Sequence, residues 1–432
     1  MKKILIFIIF LVVVACSKKK PILGERKDIF VATSNIEITG DLKNIKIEKA
    51  KTFDNYYGDS SILNKNIENY SIDSINLIAD GVSKKKFGTS RYYFSNPAVV
   101  DGVIYYLDMR GFLNAKNLKD DKILWKIKIV TGSDIKDYYV GKLSFYNNNI
   151  YMTVGINEII SVTKDGLINW RKKLNTVPNS IPVIENDNIF IITQDNKLYC
   201  IDANDGKIKW IHYGTIKDSG ILGSANPVIY KNYVISAYSS GELFVINKHS
   251  GESVFNTNLV GRYSIFSNFE LTDIDSTPIV KNDTLIATAN NGVTIAINLN
   301  NFKETWRQNL PSLTNVVVNG DFIYMITTDN VVLCLNLSDG KINWFKKLDK
   351  YKNMTKKDGV VYYKSLIFIN GNLYAFNNIA QYKVISPFDG NIIEEKELQF
   401  VLINAPVSIQ NSFFGFGIDG RSLNIVKSKN TK

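Results

Sequence analysis

The chain has 432 residues, 45% of them hydrophobic and 22% charged, with a formal net charge of +11 and three cysteines. That apolar content suffices for a large core, and so few cysteines exclude a disulfide framework as what holds the protein together. The positive balance suits nucleic acid or anionic lipid, but the lysines are scattered through turns and strand ends, clustering only at residues 18–20 and 84–86; the joint richness in Ile, Asn and Lys points to compositional drift first, with weak attraction to lipid head groups as the second reading.

Lys2 and Lys3 open the chain, and residues 4–14 form an unbroken apolar run. The run is shorter than the roughly 20 residues a spanning helix needs, and its layout is that of a secretory signal. Val13, Val14 and Ala15 then lead into Cys16, an arrangement that resembles a bacterial lipobox. That resemblance implies removal of residues 1–15, lipidation of Cys16 as the mature N-terminus and, with Ser17 where inner-membrane retention favours Asp, passage to the outer membrane. The propeller described below is then expected in the periplasm, and export argues against a nucleic-acid partner. Residues 16–35 are polar and without period, as a flexible tether is, and residues 36–432 read as one repeat domain.

The repeat is clearest in the middle of the chain. Ile181, Pro182, Val183 and Ile184 open a unit, Asn186-Asp187 turns, and residues 189–193 alternate as a strand. Asp195-Asn196 turns again, residues 197–202 make a third strand, Asn204-Asp205-Gly206 turns, and residues 207–213 close the unit with Trp210 four residues beyond the glycine. Short β-branched and aromatic strands bounded by Asn, Asp and Gly predict an antiparallel meander. Trp125, Trp170, Trp210, Phe255, Trp306, Trp344 and Glu394 recur at the equivalent place, about 45 residues apart, as in a four-stranded propeller blade. Asp121, Gly166, Gly206, Gly251, Phe302, Gly340 and Gly390 precede them. The outermost aromatic is expected to cover its neighbouring blade, and Pro97, Pro182, Pro227 and Pro278 open their units, where a missing donor harms a ladder least.

Seven units are visible. Residues 405–426 supply three further strands and residues 74–79 an isolated fourth. The predicted fold is therefore all-β, an eight-bladed β-propeller of four-stranded antiparallel blades whose ring is closed by the N- and C-terminal segments, which removes two sheet edges. Seven blades with one irregular unit is the alternative. Residues 54–70 are expected to wrap a surface, and residues 132–140 and 260–271 are the long insertions, of the kind that gathers on a binding face.

Chemistry is sparse. His212 and His249 have no partner at metal-ligand spacing and read as surface residues. Asp202 to Gly206 slightly resembles a calcium loop, but its glycine falls one place early and no bidentate Glu follows, so it reads as a β-turn. Cys200 and Cys334 each lie six residues before a turn glycine, as small inward-packing residues similar in place to Ala115, Val245 and Ala296. Their blades are too far apart for a disulfide.

The units ending in Gly206-Lys207-Ile208-Lys209-Trp210 and Gly340-Lys341-Ile342-Asn343-Trp344 resemble the pyrroloquinoline-quinone-like repeat family. One branch is the quinoprotein dehydrogenases, whose alcohol-oxidising members use adjacent cysteines that this chain lacks. The other is the BamB lipoproteins of outer-membrane β-barrel assembly, which the lipobox, tether and single propeller resemble more. That resemblance implies a non-catalytic scaffold without a cofactor, partnered by the POTRA domains of a BamA-type barrel protein and by other assembly subunits. Leu271-Thr272-Asp273-Ile274-Asp275-Ser276-Thr277-Pro278 is similar to a BamB segment whose carboxylates hold that partner, which implies Asp273 and Asp275 as acceptors. A second family loop, by spacing from Pro227, falls on Ile221 and Leu222, which implies apolar anchors there; the family's arginine is replaced by Leu222. The alternatives are a quinoprotein-like oxidoreductase and a periplasmic propeller for another envelope ligand.

Overall fold

The computed structural model describes residues 36–41, 45–49, 55–57, 78–80, 97–108, 111–120, 122–130, 141–154, 157–216, 225–261, 273–290, 292–398, 401–402, 406–409, 412–416 and 423–427. Residues 33–432 form one compact unit. Every regular element among the described residues is a strand, arranged as eight four-stranded antiparallel sheets and one two-stranded hairpin. Seven sheets each take four consecutive strands, spanning residues 98–128, 143–173, 183–213, 228–258, 279–308, 317–347 and 363–397. The third is the unit legible in the sequence, as Val183–Glu185, Asn188–Ile192, Lys197–Asp202 and Ile208–Tyr213. The eighth joins the two ends of the chain: Ile78–Asp80 pairs with Leu423–Lys427, outside Ser412–Phe416 and Val407–Ile409. This is the split blade expected from the sequence, with its N-terminal strand a few residues later than residues 74–79.

Local chemistry sets the turns. First and second strands of the seven continuous blades are joined by two residues, and at Asp101-Gly102, Asn147-Asn148, Asn186-Asp187, Asn282-Asp283 and Asn370-Gly371 both have positive φ. Such hairpin turns match the strand twist and select Asn, Asp and Gly. Pro97, Pro182, Pro227 and Pro278 each stand directly before a first strand, as expected.

The seams explain the Gly–Trp signature. The indole Nε1 of Trp125 donates to Lys164 O (2.8 Å), Trp170 to Ala203 O (2.9 Å), Trp306 to Leu337 O (2.9 Å) and Trp344 to Pro387 O (2.8 Å), each in the following blade. The ring lies on that blade's turn glycine: a Cβ on Gly206 would sit 2.8 Å from Trp170, on Gly251 2.7 Å from Trp210, and on Gly390 2.6 Å from Trp344. The glycine is needed for close approach as well as for positive φ. Beneath each ring the cross-strand partner is small: Ala115, Ser161, Cys200, Ala296 and Cys334 face Trp125, Trp170, Trp210, Trp306 and Trp344, and a bulge follows each. The seam between the fourth and fifth blades is built differently. Phe255 replaces the indole, Phe302 replaces the glycine while keeping φ at 55°, and the two rings stack at 5.9 Å. Two departures from the pattern thus compensate each other across one seam.

Ahead of the blades, residues 36–57 cross several of them. Thr39 N and Gly40 N donate to Ile342 O (2.9 and 2.8 Å), on the outer strand of the sixth blade. This covers an outer strand that is exposed elsewhere; Asn343 and Trp344 are buried. Glu48 N donates to Asn319 Oδ1 (2.7 Å), and Glu48 pairs with Lys281 (3.0 Å). Tyr56 then bridges Val99, and Tyr57 O accepts from Phe145 N (2.6 Å), on the innermost strands of the first and second blades. Of the wrap expected over residues 54–70, residues 55–57 are described and do attach to the blades.

Candidate functional site

In a four-stranded meander the turns after the first and third strands lie at one end, and the turn after the second lies at the other with the linker to the next blade. The candidate residues all sit on such linkers. Asp273 and Asp275 precede the fifth blade. Asp273 O accepts from Asn290 N (2.9 Å), and Ile274, buried between the fourth and fifth blades, presents its carbonyl to Ala225 N (3.4 Å). Ala225 lies just past the loop of Ile221 and Leu222. Those two residues lie outside the described ones, as does Cys16, but the loop's return point is bonded between the two carboxylates.

Side-chain amides and hydroxyls tie these linkers around the ring. Asn226 Oδ1 accepts from Ile181 N (2.8 Å), Asn226 N and Nδ2 both donate to Thr277 Oγ1 (3.1 Å each), and Thr277 N donates to Asn315 Oδ1 (2.9 Å). One polar chain therefore links the entries of the third, fourth, fifth and sixth blades and fixes the backbone on which the carboxylates stand.

Asp273 is 1% exposed, whereas Asp275 is half-buried. Lys142, on the linker into the second blade, is also half-buried and donates through Nζ to Asn179 O (2.6 Å) before the third. Burial, and then the charge of Asp273, pushes the Asp275 carboxyl up to about 7 against the pull of Lys142. Burial drives the Lys142 ammonium down to about 8, opposed by Asp275. Linkers of the second, third and fifth blades thus bring together a group that exchanges protons near neutrality, a property that marks functional sites. Lys142 was not legible in the sequence; it comes from another blade, and Gly141 beside it, where a Cβ would overlap Thr153 O, is the one local sign of close packing.

Of the remaining sequence candidates, His249 is exposed as expected. His212 corrects the surface expectation: it is half-buried, its Nδ1 lies 2.9 Å from Tyr238 Oη, its ring stacks on Tyr238 and meets Phe244 edge-on, and burial lowers its pKa. An outer-strand side chain followed by Gly214 reaches the next blade's aromatics, which the spacing alone did not reveal. The Asp202–Gly206 segment is a β-turn, with Lys209 and Lys207 on its carboxylates (2.8 and 2.7 Å). Cys200 and Cys334 are buried free thiols, and burial raises both to about 12.

The sequence model of the family described as outer membrane protein assembly factor BamB matches residues 109–346, most of the first six blades. The chain belongs to the BamB family. A BamB of Moranella endobia is 24% identical over 320 residues, 70% of this chain and 82% of that protein. An uncharacterised protein of Rickettsia conorii is 26% identical over 237 residues, 54% of this chain and 56% of that protein, so the chain spans little more than half the length of some curated relatives it matches. The crystal structure of BamB from Moraxella catarrhalis shares the fold with a TM-score of 0.63 at 16% identity, over 78% of this chain and 97% of that one. A europium-containing methanol dehydrogenase does so with a TM-score of 0.57 at 12% identity, over 81% and 86%. At such identities the structural likeness speaks of the propeller alone; the family model separates the BamB branch from the oxidoreductases.

Proposed function

We propose that this protein is a non-catalytic scaffold of outer-membrane β-barrel assembly, lipid-anchored at Cys16 with its propeller in the periplasm, where it binds the POTRA region of a BamA-type partner. The match of the BamB family model across residues 109–346, which spans both candidate loops, carries this reading. One contact is consistent with it: Ala225, just past the loop of Ile221 and Leu222, donates its N–H to Ile274 O within the Asp273–Asp275 segment.

The burial of Asp273 divides the roles. Asp273, with 1% exposure, is closed to a partner, whereas half-buried Asp275 is the acceptor within a partner's reach. The test is capture of tagged protein from its own membranes in mild detergent, followed by mass spectrometry. Recovery of a POTRA-bearing barrel protein is expected, reduced tenfold or more by Asp275→Lys, the cost of one desolvated charged contact being about 2 kcal/mol. An intact preparation that brings down no such protein overturns the assembly reading. Capture unchanged by Asp275→Lys and by Leu222→Ser overturns the contact assignment, and binding of added quinone with calcium would favour an oxidoreductase instead.

A further inference from the structure

The linker from the sixth to the seventh blade carries an element that the repeat does not require. Tyr351–Asn353 pairs with Asp358–Val360 as an isolated hairpin. Its base is fixed: the buried amide of Asn330 donates through Nδ2 to both Asp349 O (2.9 Å) and Val361 O (2.7 Å), and Val361 N donates to Lys350 O (2.9 Å). Everything beyond the base is in solvent. Residues 352–360 are exposed without interruption, Met354 at 58% and Val360 at 61%, and Tyr362 beside the base at 52%. From residue 350 to 364 five lysines accompany one carboxylate, Asp358. No described carboxylate lies within ion-pair distance of Lys352, Lys356 or Lys357.

We propose that this hairpin is a contact for an anionic lipid surface. Two features favour lipid over an acidic protein. The cations are all lysines, which protein interfaces deplete in favour of Arg and Trp, whereas lysine stems lie along a bilayer interface with the ammonium among head groups. Met354 and Val360 are aliphatic and Tyr362 amphipathic, the side chains that enter the head-group boundary beside such lysines. The contact stands whether or not the protein binds a barrel partner.

The experiment places an environment-sensitive dye on Met354→Cys in the full chain, purified from membranes and reconstituted into phosphatidylcholine vesicles with or without phosphatidylglycerol. The parent chain supplies the background, since Cys200 and Cys334 are buried. Emission is expected to shift to the blue, and to be quenched by nitroxide lipids, only on the anionic vesicles, and to return with added salt. Lys352→Glu, Lys356→Glu and Lys357→Glu together are expected to weaken the contact at least about a hundredfold, three lysines each contributing about a factor of five, with an unchanged thermal midpoint because all three are exposed. Emission that stays that of water on both vesicles, that shifts equally on neutral ones, or that survives the triple substitution overturns the proposal. A shift produced by an acidic partner protein and not by lipid overturns it as well.

Discussion

Gly340→Ala tests the seam argument against its own internal control. Gly340 has φ of 67°, and a Cβ there would stand 2.6 Å from Cδ2 and 2.7 Å from Cε3 of Trp306. Gly102 has φ of 75° with nothing within 4 Å of the same point. Both substitutions force alanine into the left-handed region, at about 1 kcal/mol. Only at Gly340 must the indole also retreat by nearly an ångström, which strains a packed ring by about 1–3 kcal/mol and pulls Nε1 from Leu337 O, now 2.9 Å away, for about 1 kcal/mol more. Gly340→Ala is therefore expected to cost roughly 2–4 kcal/mol more than Gly102→Ala, read from urea midpoints at unchanged slope. In a Trp306→Ala background the excess vanishes, leaving Gly340→Ala at about the cost of Gly102→Ala. Midpoints for the two single variants within about 0.5 kcal/mol of each other would show that the glycine serves the backbone alone and that the docking argument is wrong.

The titrations of Asp275 and Lys142 have opposite signs. The folded Asp275 carboxyl, at about 7 against an ordinary 3.8, binds more protons than the unfolded one between those values, so this group's contribution to stability falls as pH rises through that window; Asp275→Asn should flatten that fall, and an unaltered profile of urea midpoints would contradict it. Lys142, at about 8 against 10.5, makes stability rise with pH between those values, a rise that Lys142→Met should remove. Ellman's reagent should leave Cys200 and Cys334 untouched in the folded protein and label both once urea unfolds it, and rapid reaction of either under native conditions would refute their placement against Trp210 and Trp344. Asn330→Ala leaves Asp349 O and Val361 O without their donor and should cost about 2 kcal/mol; tryptic cleavage after Lys352 should then quicken, and an unchanged rate would mean that the hairpin base is held by other means.

The blades were legible because everything that specifies them is local. Alternation over five or six residues, Asn-Asp or Asp-Gly at the turns and a tryptophan four residues past a glycine are all properties of one short stretch of chain. Phe302 was legible as a turn without its glycine, but its stacking on Phe255 was not, since the two residues meet only after adjacent blades dock. Asp273 and Asp275 were singled out through the resemblance of residues 271–278 to a BamB segment. Their burial and their coupling to Lys142 were not, because those depend on linkers more than a hundred residues apart converging at one end of the ring. The hairpin after Lys347 was missed for a different reason. Three-residue strands joined through Met354, Thr355, Lys356 and Lys357 carry no period, and their stability comes from Asn330 in the preceding blade.

The two ends of the blades carry different burdens. At the end of the first and third turns the first turns repeat as two-residue connections, and described N-terminal residues bond there, with Glu48 on Asn319 and Asn55 Oδ1 accepting from Asp101 N. At the other end the described linkers carry different groups: one supplies Lys142, one Asn226, one the carboxylates, one the lysine hairpin. A propeller holds linkers in place through its blades, so they vary without unfolding their neighbours. The described residues of the N-terminal segment bond the turn end and the start of the sixth blade's outer strand. Under the proposed lipid anchoring, a tether of the length of residues 16–35 would reach at most about 70 Å, enough to leave Asp275 accessible to a partner. Shortening the tether without touching a blade should therefore weaken partner capture before it affects stability, and a stability loss appearing first would mean that the segment before residue 36 is part of the folded structure.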